Sequence, residues 1–335
     1  MKQYQNFSRL FLALIFCTFL LPHESKAQKK ESIDNGYYIT YPDRLMLNVY
    51  MSQKFAPFSI YTRNGQELNY RTNSKLTLGA GFAINGLGLN LAYGFKFLNK
   101  EKGRGKTTGL DFQFHLYPHK WAVDLLATFR KGYYLEPSSD NGLSLADNYL
   151  RPDIKRHVIG LSAFRVPNSH KFSYRAAITQ NDWQTKSAGS FLYGGEIYRG
   201  SITGDSALVP SKVSNDFDQA GINEITFLSI GPGLGYAYTL VIDKNFFITG
   251  SATASIDLNF SAEEISGNKK KKTSLIPGGV YKGAIGYNSD TWSVSANITG
   301  NALYAGSESS SKEYFLPTGN IRFIVAKKLA PRKHK

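Results

Sequence analysis

Two residues of the sequence, His157 and Ser190, have side chains that could act together in catalysis. A histidine can take the proton of a serine nucleophile, and such a pair on the lipid-facing wall of a barrel would hydrolyse lipids. His157 alternates in step with Ile159, and Ser190 with Tyr174, which predicts that both face lipid if these segments are strands. Because no compact motif joins the pair, a lipid-modifying hydrolase is the alternative interpretation and not the leading one.

Other kinds of site have weaker signals. Gly231–Gly235 reads Gly-Pro-Gly-Leu-Gly, which lacks the G-x-G-x-x-G spacing of a phosphate-binding loop and is followed by an alternating segment, not a helix. No histidine spacing is typical of a metal site, and the only cysteine is Cys17. We therefore expect no cofactor and no metal, and we expect these glycines to line the inner face of a strand.

The elements that must position any site are long strands. Two runs between Phe246 and Tyr304 alternate apolar with polar residues, and the apolar members of the first run are Phe246, Ile248, Ala252, Ala254, Ile256, Leu258 and Phe260. Successive side chains of a strand point to opposite faces, so each run forms a ribbon about 13 to 15 residues long with one apolar side. Strands of soluble proteins are most often about 5–6 residues long, whereas a membrane-spanning strand needs about 9–11. The pattern predicts an all-β fold, a transmembrane antiparallel β-barrel.

The first residues are typical of a secretory signal peptide. An apolar stretch, Leu10–Leu21, follows a weakly basic start, and Ser25-Lys26-Ala27 supplies the small residues of a cleavage site. We predict that residues 1–27 are removed, which would leave the mature chain without cysteine.

Turn signals divide the remainder into about twelve strands, with ten or fourteen as alternatives. Short turns are predicted at Asn85–Gly86, Pro118–Lys120, Pro167–His170, Asp243–Asn245 and Asn288–Asp290, and longer polar loops at 99–106, 136–152, 200–223, 261–272 and 306–312. The predicted strands are 44–62, 67–84, 87–98, 107–117, 121–134, 154–166, 171–197, 225–240, 246–260, 276–287, 292–304 and 314–326. Outer-membrane barrels have short periplasmic turns and longer outer loops. This places both termini in the periplasm, with 28–43 as an N-terminal segment, 44–326 as the barrel and 327–335 as a basic tail.

The same parity predicts which side chains face the lumen. The predicted inward set is Asn48, Lys75, Lys96, Asp111, His115, Asp124, Arg130, Arg175, Asp257, Lys282 and Arg322. A twelve-stranded barrel is only modestly wider than an eight-stranded one, which side chains fill, so paired charges could make the protein a scaffold. The basic excess would instead suit a narrow pore that favours anions, and a surface receptor is a further reading.

Charge suggests the partners. The formal net charge is +15, and for an exported barrel the nearest anions are phosphates of the outer membrane and not nucleic acid. We expect contacts with outer-membrane lipids, lipopolysaccharide and the barrel-assembly machinery of a Gram-negative cell. Lys269–Lys272 is interpreted first as part of a solvated outer loop, and contact with lipopolysaccharide phosphates is the alternative interpretation.

Four segments resemble a Bacteroidetes family of exported proteins, DUF4421. They are Tyr41-Pro42-Asp43-Arg44-Leu45, Asn69-Tyr70-Arg71-Thr72-Asn73, Lys171-Phe172-Ser173-Tyr174-Arg175-Ala176-Ala177 and Gln184-Thr185-Lys186-Ser187-Ala188-Gly189-Ser190. The resemblance runs from about Tyr38 to near the C-terminus and implies an outer-membrane barrel. It brings no activity, cofactor or catalytic residue.

Overall fold

The computed structural model describes residues 32–42, 44–62, 65–84, 87–99, 103–136 and 148–329. The predicted leader, the Asn85–Gly86 turn and residues 330–335 of the predicted tail lie outside these ranges. In the part of the chain that is described, no helix has both the length and the apolar character needed to cross a membrane.

The described residues are almost entirely strands. In chain order these are β1 (Ile33–Asp34), β2 (Tyr38–Thr40), β3 (Leu45–Phe55), β4 (Phe58–Tyr61), β5 (Glu67–Tyr70), β6 (Leu76–Ile84), β7 (Leu87–Tyr93), β8 (Thr108–Leu116), β9 (Trp121–Leu135), β10 (Tyr149–Arg165), β11 (Asp182–Gln184), β12 (Ala188–Thr203), β13 (Glu224–Ile242), β14 (Phe246–Ile265), β15 (Asn268–Asn288), β16 (Trp292–Ala302), β17 (Tyr304–Ala305), β18 (Tyr314–Phe315) and β19 (Thr318–Leu329). Short helical turns lie at Lys96–Leu98, Arg175–Thr179 and Ser211–Asp216.

Twelve of these strands form one antiparallel sheet. Its order is β7-β6-β3-β19-β16-β15-β14-β13-β12-β10-β9-β8, so the last long strand, β19, pairs with the first, β3. The sheet curls on itself, because Asp111 of β8 lies 3.7 Å from the ammonium of Lys54 on β3, and Asn320 of β19 donates a hydrogen bond to Gln113 of β8. The prediction of an antiparallel barrel of about twelve strands is confirmed.

The two faces of the sheet have opposite character. Along β14 the even-numbered residues from Phe246 to Phe260 point outward and are exposed, with Ala252 and Ile256 among them. The odd-numbered residues, such as Ser255 and Asp257, are buried inside. In a soluble protein the apolar side chains would be inside and the polar ones outside, so this barrel has the opposite arrangement. The alternation fixes it, because a register shift of one residue would exchange the two faces.

Connections at the two ends of the barrel differ, and we name the ends accordingly. At the short-turn end, residues 117–120, 243–245 and 289–291 link successive strands, and the β13–β14 turn uses positive φ at Asp243 (49°) and Lys244 (64°). At the long-loop end lie the connections 56–75, 94–107, 204–223 and 303–317.

The prediction of a seventh spanning strand over residues 171–197 is wrong. Residues 166–187, which we call the plug, leave β10 and fold back into the short-turn end, so the spanning strand begins only at Ala188. Buried polar groups hold the plug in this form: the Gln184 amide donates to the carbonyls of Lys171 (2.6 Å) and Lys186 (3.0 Å). Pro167–His170 therefore begins the plug and is not a tight hairpin turn.

Two further expectations needed correction at the long-loop end. Residues 44–62 do not form one strand, because after Phe55 the chain turns at Pro57 and enters a four-stranded sheet, β17-β18-β4-β5, which we call the cap. The predicted loop 261–272 is a hairpin, since β14 and β15 pair as far as Ile265 and Asn268, with positive φ at Ser266 (49°) and Gly267 (86°).

The barrel also ends later than predicted. Lys327 and Lys328 belong to β19 and pair with β3, so they are not part of a tail. At the other terminus, β1 pairs with β2, and β2 pairs with β11 of the plug. The predicted N-terminal segment thus contributes to the three-stranded sheet at the short-turn end.

Candidate functional site

The interior of the barrel contains two apolar cores built by the chain itself. At the long-loop end, cap residues Phe58, Ile60, Leu68 and Tyr70 are fully buried among side chains of β9, β10, β12 and β13. The Phe58 and Tyr70 rings are stacked with their centroids 4.6 Å apart. At the short-turn end, the plug residues Phe172, Tyr174 and Ile178 pack against the inner faces of β9, β10, β12 and β15; that core comprises Tyr117, Ala122, Phe164, Val166, Phe172, Tyr174, Ile178, Ala188, Leu192, Ala237, Phe247, Val280 and Ala284.

The structure places eight of the eleven residues predicted to line the lumen on the inner face of a spanning strand. These are Asn48, Asp111, His115, Asp124, Arg130, Asp257, Lys282 and Arg322.

The other three residues of that predicted set lie elsewhere. Arg175 is in the helical turn of the plug, and Lys75 and Lys96 are exposed in segments outside the strands. The two lysines were misplaced because both lie outside the strands: β6 begins only at Leu76, and β7 already ends at Tyr93. The alternation of faces along a strand therefore says nothing about where these side chains point.

A central polar network surrounds Asp124 and Lys282. The Lys282 ammonium donates to Asp124 Oδ2, while His115 Nδ1 (2.6 Å) and the Tyr117 hydroxyl (2.9 Å) both donate to Oδ1. The ammonium also lies 4.9 Å from the ring centre of Tyr117 and 4.8 Å from that of Tyr174. The network therefore joins β8, β9, β15 and the plug across the lumen.

A second set of cations fastens the long-loop end. Asp111 contacts Lys54 (3.7 Å) and Arg130 in ion pairs. Arg156, which is fully buried, donates to the carbonyls of Pro57 (2.9 Å), Leu316 (2.7 Å) and Pro317 (3.0 Å), and so ties the cap to β10. Sequence reasoning missed Arg156, although it shares the inward parity of Ile154 and could have been found.

Two acids meet in the middle of the barrel. Glu196 of β12 and Asp257 of β14 are both buried on the inner face, and Ser255 Oγ donates to Glu196 Oε1 at 2.7 Å. Side chains in place of Gly231 or Gly278 would collide with these carboxyl groups. The Gly-Pro-Gly-Leu-Gly segment therefore makes room for an interior polar group, and it lies on a strand as its pattern indicated.

The proposed catalytic pair does not come together. His157 is on the outer face, with its ring 5.5 Å from that of Phe129, whereas Ser190 is buried and turned inward. Ser190 Oγ donates to the carbonyl of Phe191 (2.8 Å) and accepts from the amide of Asn168 (3.1 Å). The ladder partner of His157 is Ser201, and Ser190 lies about 36 Å along the strand from there at about 3.3 Å per residue. The prediction that Ser190 faces lipid is wrong. It assumed that one strand alternates without interruption from Tyr174 to Ser190, but Tyr174 lies in the plug, and the spanning strand begins only at Ala188.

The basic segment Lys269–Lys272 is largely engaged by the protein. Lys269 pairs with Glu264 (3.1 Å), Lys270 with Glu308 (3.5 Å), and Lys272 donates to the carbonyl of Ser307 (2.6 Å). In the described residues, no group of three or more potential metal ligands is found.

The fold and its interior define a class: an antiparallel β-barrel with an apolar outer face, filled by its own chain. A family model described as a domain of unknown function, DUF4421, matches residues 32–325, and the chain belongs to this family. No curated protein matches the sequence.

Solved structures give only remote likenesses, and all those considered are barrels of outer membranes. The translocator domain of the autotransporter NalP from Neisseria meningitidis is 10% identical, with 98% of each chain covered and a TM-score of 0.33. Neisserial surface protein A is 10% identical, covering 85% of this chain and 97% of that one, with a TM-score of 0.21. The Pseudomonas putida toluene transporter TodX is 7% identical, covering 86% and 89%, with a TM-score of 0.23. At such scores the likeness supports no argument about this chain, whose fold rests on its own strand order.

The central network predicts an asymmetry between single and double substitutions. Asp124→Asn should lower the free energy of unfolding by about 3–5 kcal/mol, because it leaves the Lys282 ammonium buried without its counter-charge. Adding Lys282→Met should restore much of that loss. Reversible unfolding in denaturant measures both, with the exposed Lys269→Met as a control that should change little. A double variant less stable than Asp124→Asn alone would contradict this account of the network.

Proposed function

We propose that the protein spans an outer membrane with its apolar outer face against lipid. The outward-facing band of β14 supports this, since it runs from Phe246 to Phe260 and ends in an aromatic residue on each side. At about 3.3 Å per residue and a tilt of about 40°, the fourteen steps from the first to the last of these residues rise about 35 Å, enough to cross a hydrocarbon core of about 30 Å.

The proposed orientation puts the short-turn end in the periplasm. Barrels of this kind have short periplasmic turns and longer outer loops, and the first and last described residues both lead to the short-turn end. A signal peptide over residues 1–27 would provide export. The hairpin tip with Lys269–Lys272 would then lie outside the cell, where lipopolysaccharide phosphates are the nearest anions.

Within the membrane, we infer a sealed scaffold that presents its long-loop end to the exterior, and not an open pore. One observation carries this inference: cap and plug fill the two ends of the lumen, and the Asp124–Lys282 network crosses between them. The charges that would have made a pore selective for anions are used in holding strands together.

The membrane assignment predicts a position-dependent cost for charge on β14. Ile256 points outward near the middle of the apolar band and is 65% exposed. Ile256→Arg should lower the free energy of unfolding in lipid vesicles by about 2–4 kcal/mol, whereas an arginine near the interface costs about 0–1 kcal/mol. Ala262→Arg, on the same face but beyond Phe260, is the matched control. Equal effects of the two variants would show that lipid does not cover this face.

The sealed-scaffold inference predicts silence in planar lipid bilayers. The intact protein should give no single-channel steps, because the cap and the plug fill the two ends of the lumen with apolar side chains. A variant with short Gly-Ser linkers in place of both 168–186 and 57–70 should conduct if it retains its β-sheet circular dichroism. Anion-preferring steps from the intact protein that shrink on Lys282→Gln would establish the pore instead.

The hydrolase alternative retains one observation in its favour. His157 and Ser201 are cross-strand neighbours on the outer face, and Ser201 lies near the long-loop end of β12. This is a serine that sequence parity did not select.

Mass spectrometry of phospholipid and lipid A incubated with the purified protein tests the hydrolase alternative. Products that vanish with His157→Ala and Ser201→Ala, but persist with Ser190→Ala, would support it. Our scaffold proposal expects no products from any of the four proteins.

A further inference from the structure

A cavity of about 130 Å³ lies at the short-turn end, where three separate segments meet. Its walls come from β2 (Thr40), from the β8–β9 turn (His119) and the start of β9 (Trp121), and from the plug (Tyr174 and Arg175). An enclosed cavity of about 150 Å³ can hold benzene, and this smaller space is partly open to solvent, so it can take a molecule with no more than a single ring. It is too small for a drug-sized ligand, whose pockets begin at about 300 Å³.

Five of the side chains that line the cavity are aromatic, namely Tyr38, Tyr117, Trp121, Phe172 and Tyr174, and polar side chains lie among them. The rings of Tyr117 and Tyr174 are stacked at 5.2 Å, and Phe172 meets Tyr174 edge-on at 5.1 Å. Trp121 completes the wall towards the outer face and is 40% exposed. Flat walls of this kind favour a planar ring, because offset-stacked and edge-to-face contacts add to the burial of apolar surface.

The polar part of the wall has unused hydrogen-bonding capacity. Arg175 and Asp182 both line the cavity, and the nearest contact between them, from Arg175 Nη2 to Asp182 Oδ1, is 3.5 Å. That exceeds the usual 2.7–3.2 Å of an N–H···O hydrogen bond. Arg175 Nε and Asp182 Oδ1 have no hydrogen-bond partner but are closed to solvent, so a ligand would reach the other guanidinium nitrogens of Arg175, whose side chain is 25% exposed.

One oxygen of Asp182 is used within the plug, where Oδ2 accepts from Ser173 Oγ at 2.6 Å. A carboxylate cannot donate to an anion, so the guanidinium of Arg175 is the group able to bind one. Burial raises the pKa of the Asp182 carboxyl, an effect that Arg175 partly opposes. A planar guanidinium presents paired donors that match the two oxygens of a carboxylate.

We propose that this cavity binds an aromatic carboxylate with a single ring. The ring lies against Phe172, Tyr174 and Trp121, and the carboxylate accepts hydrogen bonds from Arg175. The His119 turn is exposed at the short-turn end and forms the rim of the cavity. The proposal goes beyond the scaffold function and does not depend on it, since the site needs only the plug, β2 and the β8–β9 turn.

The test uses the full-length protein in detergent with benzoate as probe, followed by titration calorimetry and by fluorescence of Trp121. Benzoate should bind, while toluene, which lacks the carboxylate, and acetate, which lacks the ring, should each bind at least tenfold more weakly. Arg175→Gln should weaken benzoate binding by tenfold or more through loss of a charge-assisted hydrogen bond.

Two variants separate binding from folding. Lys244→Gln removes an exposed positive charge at the same end of the barrel and should leave benzoate affinity unchanged. His119→Trp adds bulk at the exposed rim and should abolish binding without altering the thermal unfolding of the free protein. Equal affinities for benzoate and toluene, or an Arg175→Gln variant that is folded and binds like the parent, would overturn the proposal, as would no detectable benzoate binding.

Discussion

The structure depends on one constraint: polar groups on the inner face must find partners within the chain, because protein and not water fills much of the lumen. A buried polar group without a partner costs more than a hydrogen bond returns, and a buried charge costs more still. Lys282 shows how the constraint is met. Its ammonium lies beside two stacked tyrosine rings and donates to Asp124, which also accepts from His115 and Tyr117. One interior lysine thereby fixes several strands relative to the plug.

The same constraint explains how both ends are attached. At the long-loop end the guanidinium of Arg156 reaches three carbonyls of the cap segments, so a residue with no exposure carries a charge without an acid beside it. At the short-turn end Asn288 donates to the carbonyl of Asp182 at 2.9 Å, while Lys328 donates to Asn288 Oδ1 at 2.6 Å. Cap and plug are thus held through backbone carbonyls, which irregular segments leave available and regular strands do not.

Strand alternation made most of the barrel predictable and also set the limit of prediction. Where a ribbon is uninterrupted, as in β14 and β16, apolar and polar positions separate cleanly and the face of each residue follows. The plug could not be predicted in this way, because its fold depends on contacts distant in sequence, such as that from Gln184 Nε2 to the carbonyl of Tyr37.

The tip of β14–β15 was missed for another reason: its lysines suggested a solvated loop, yet Glu263 and Glu264 lie opposite Lys270 and Lys269 as cross-strand pairs. Of the candidate sites, the cavity beside Arg175 had no sequence signal at all, since three separate segments build it.

If the interior is sealed, as we propose, any function of this protein lies at its two ends. The strands β14 and β15 are 20 and 21 residues long, about twice the 9–11 residues that a bilayer requires. The extra length lies at the long-loop end, where their ladder continues beyond the apolar band and carries paired charges, so it forms a rigid hairpin. At the opposite end, β1, β2 and the plug build a small sheet that encloses aromatic rings and a guanidinium with unmet donors. Tyr174 of the plug lies 4.8 Å from the Lys282 ammonium, so any movement of the plug must break this cation–π contact or carry β15 along. The plug is therefore anchored to the barrel wall through the interior.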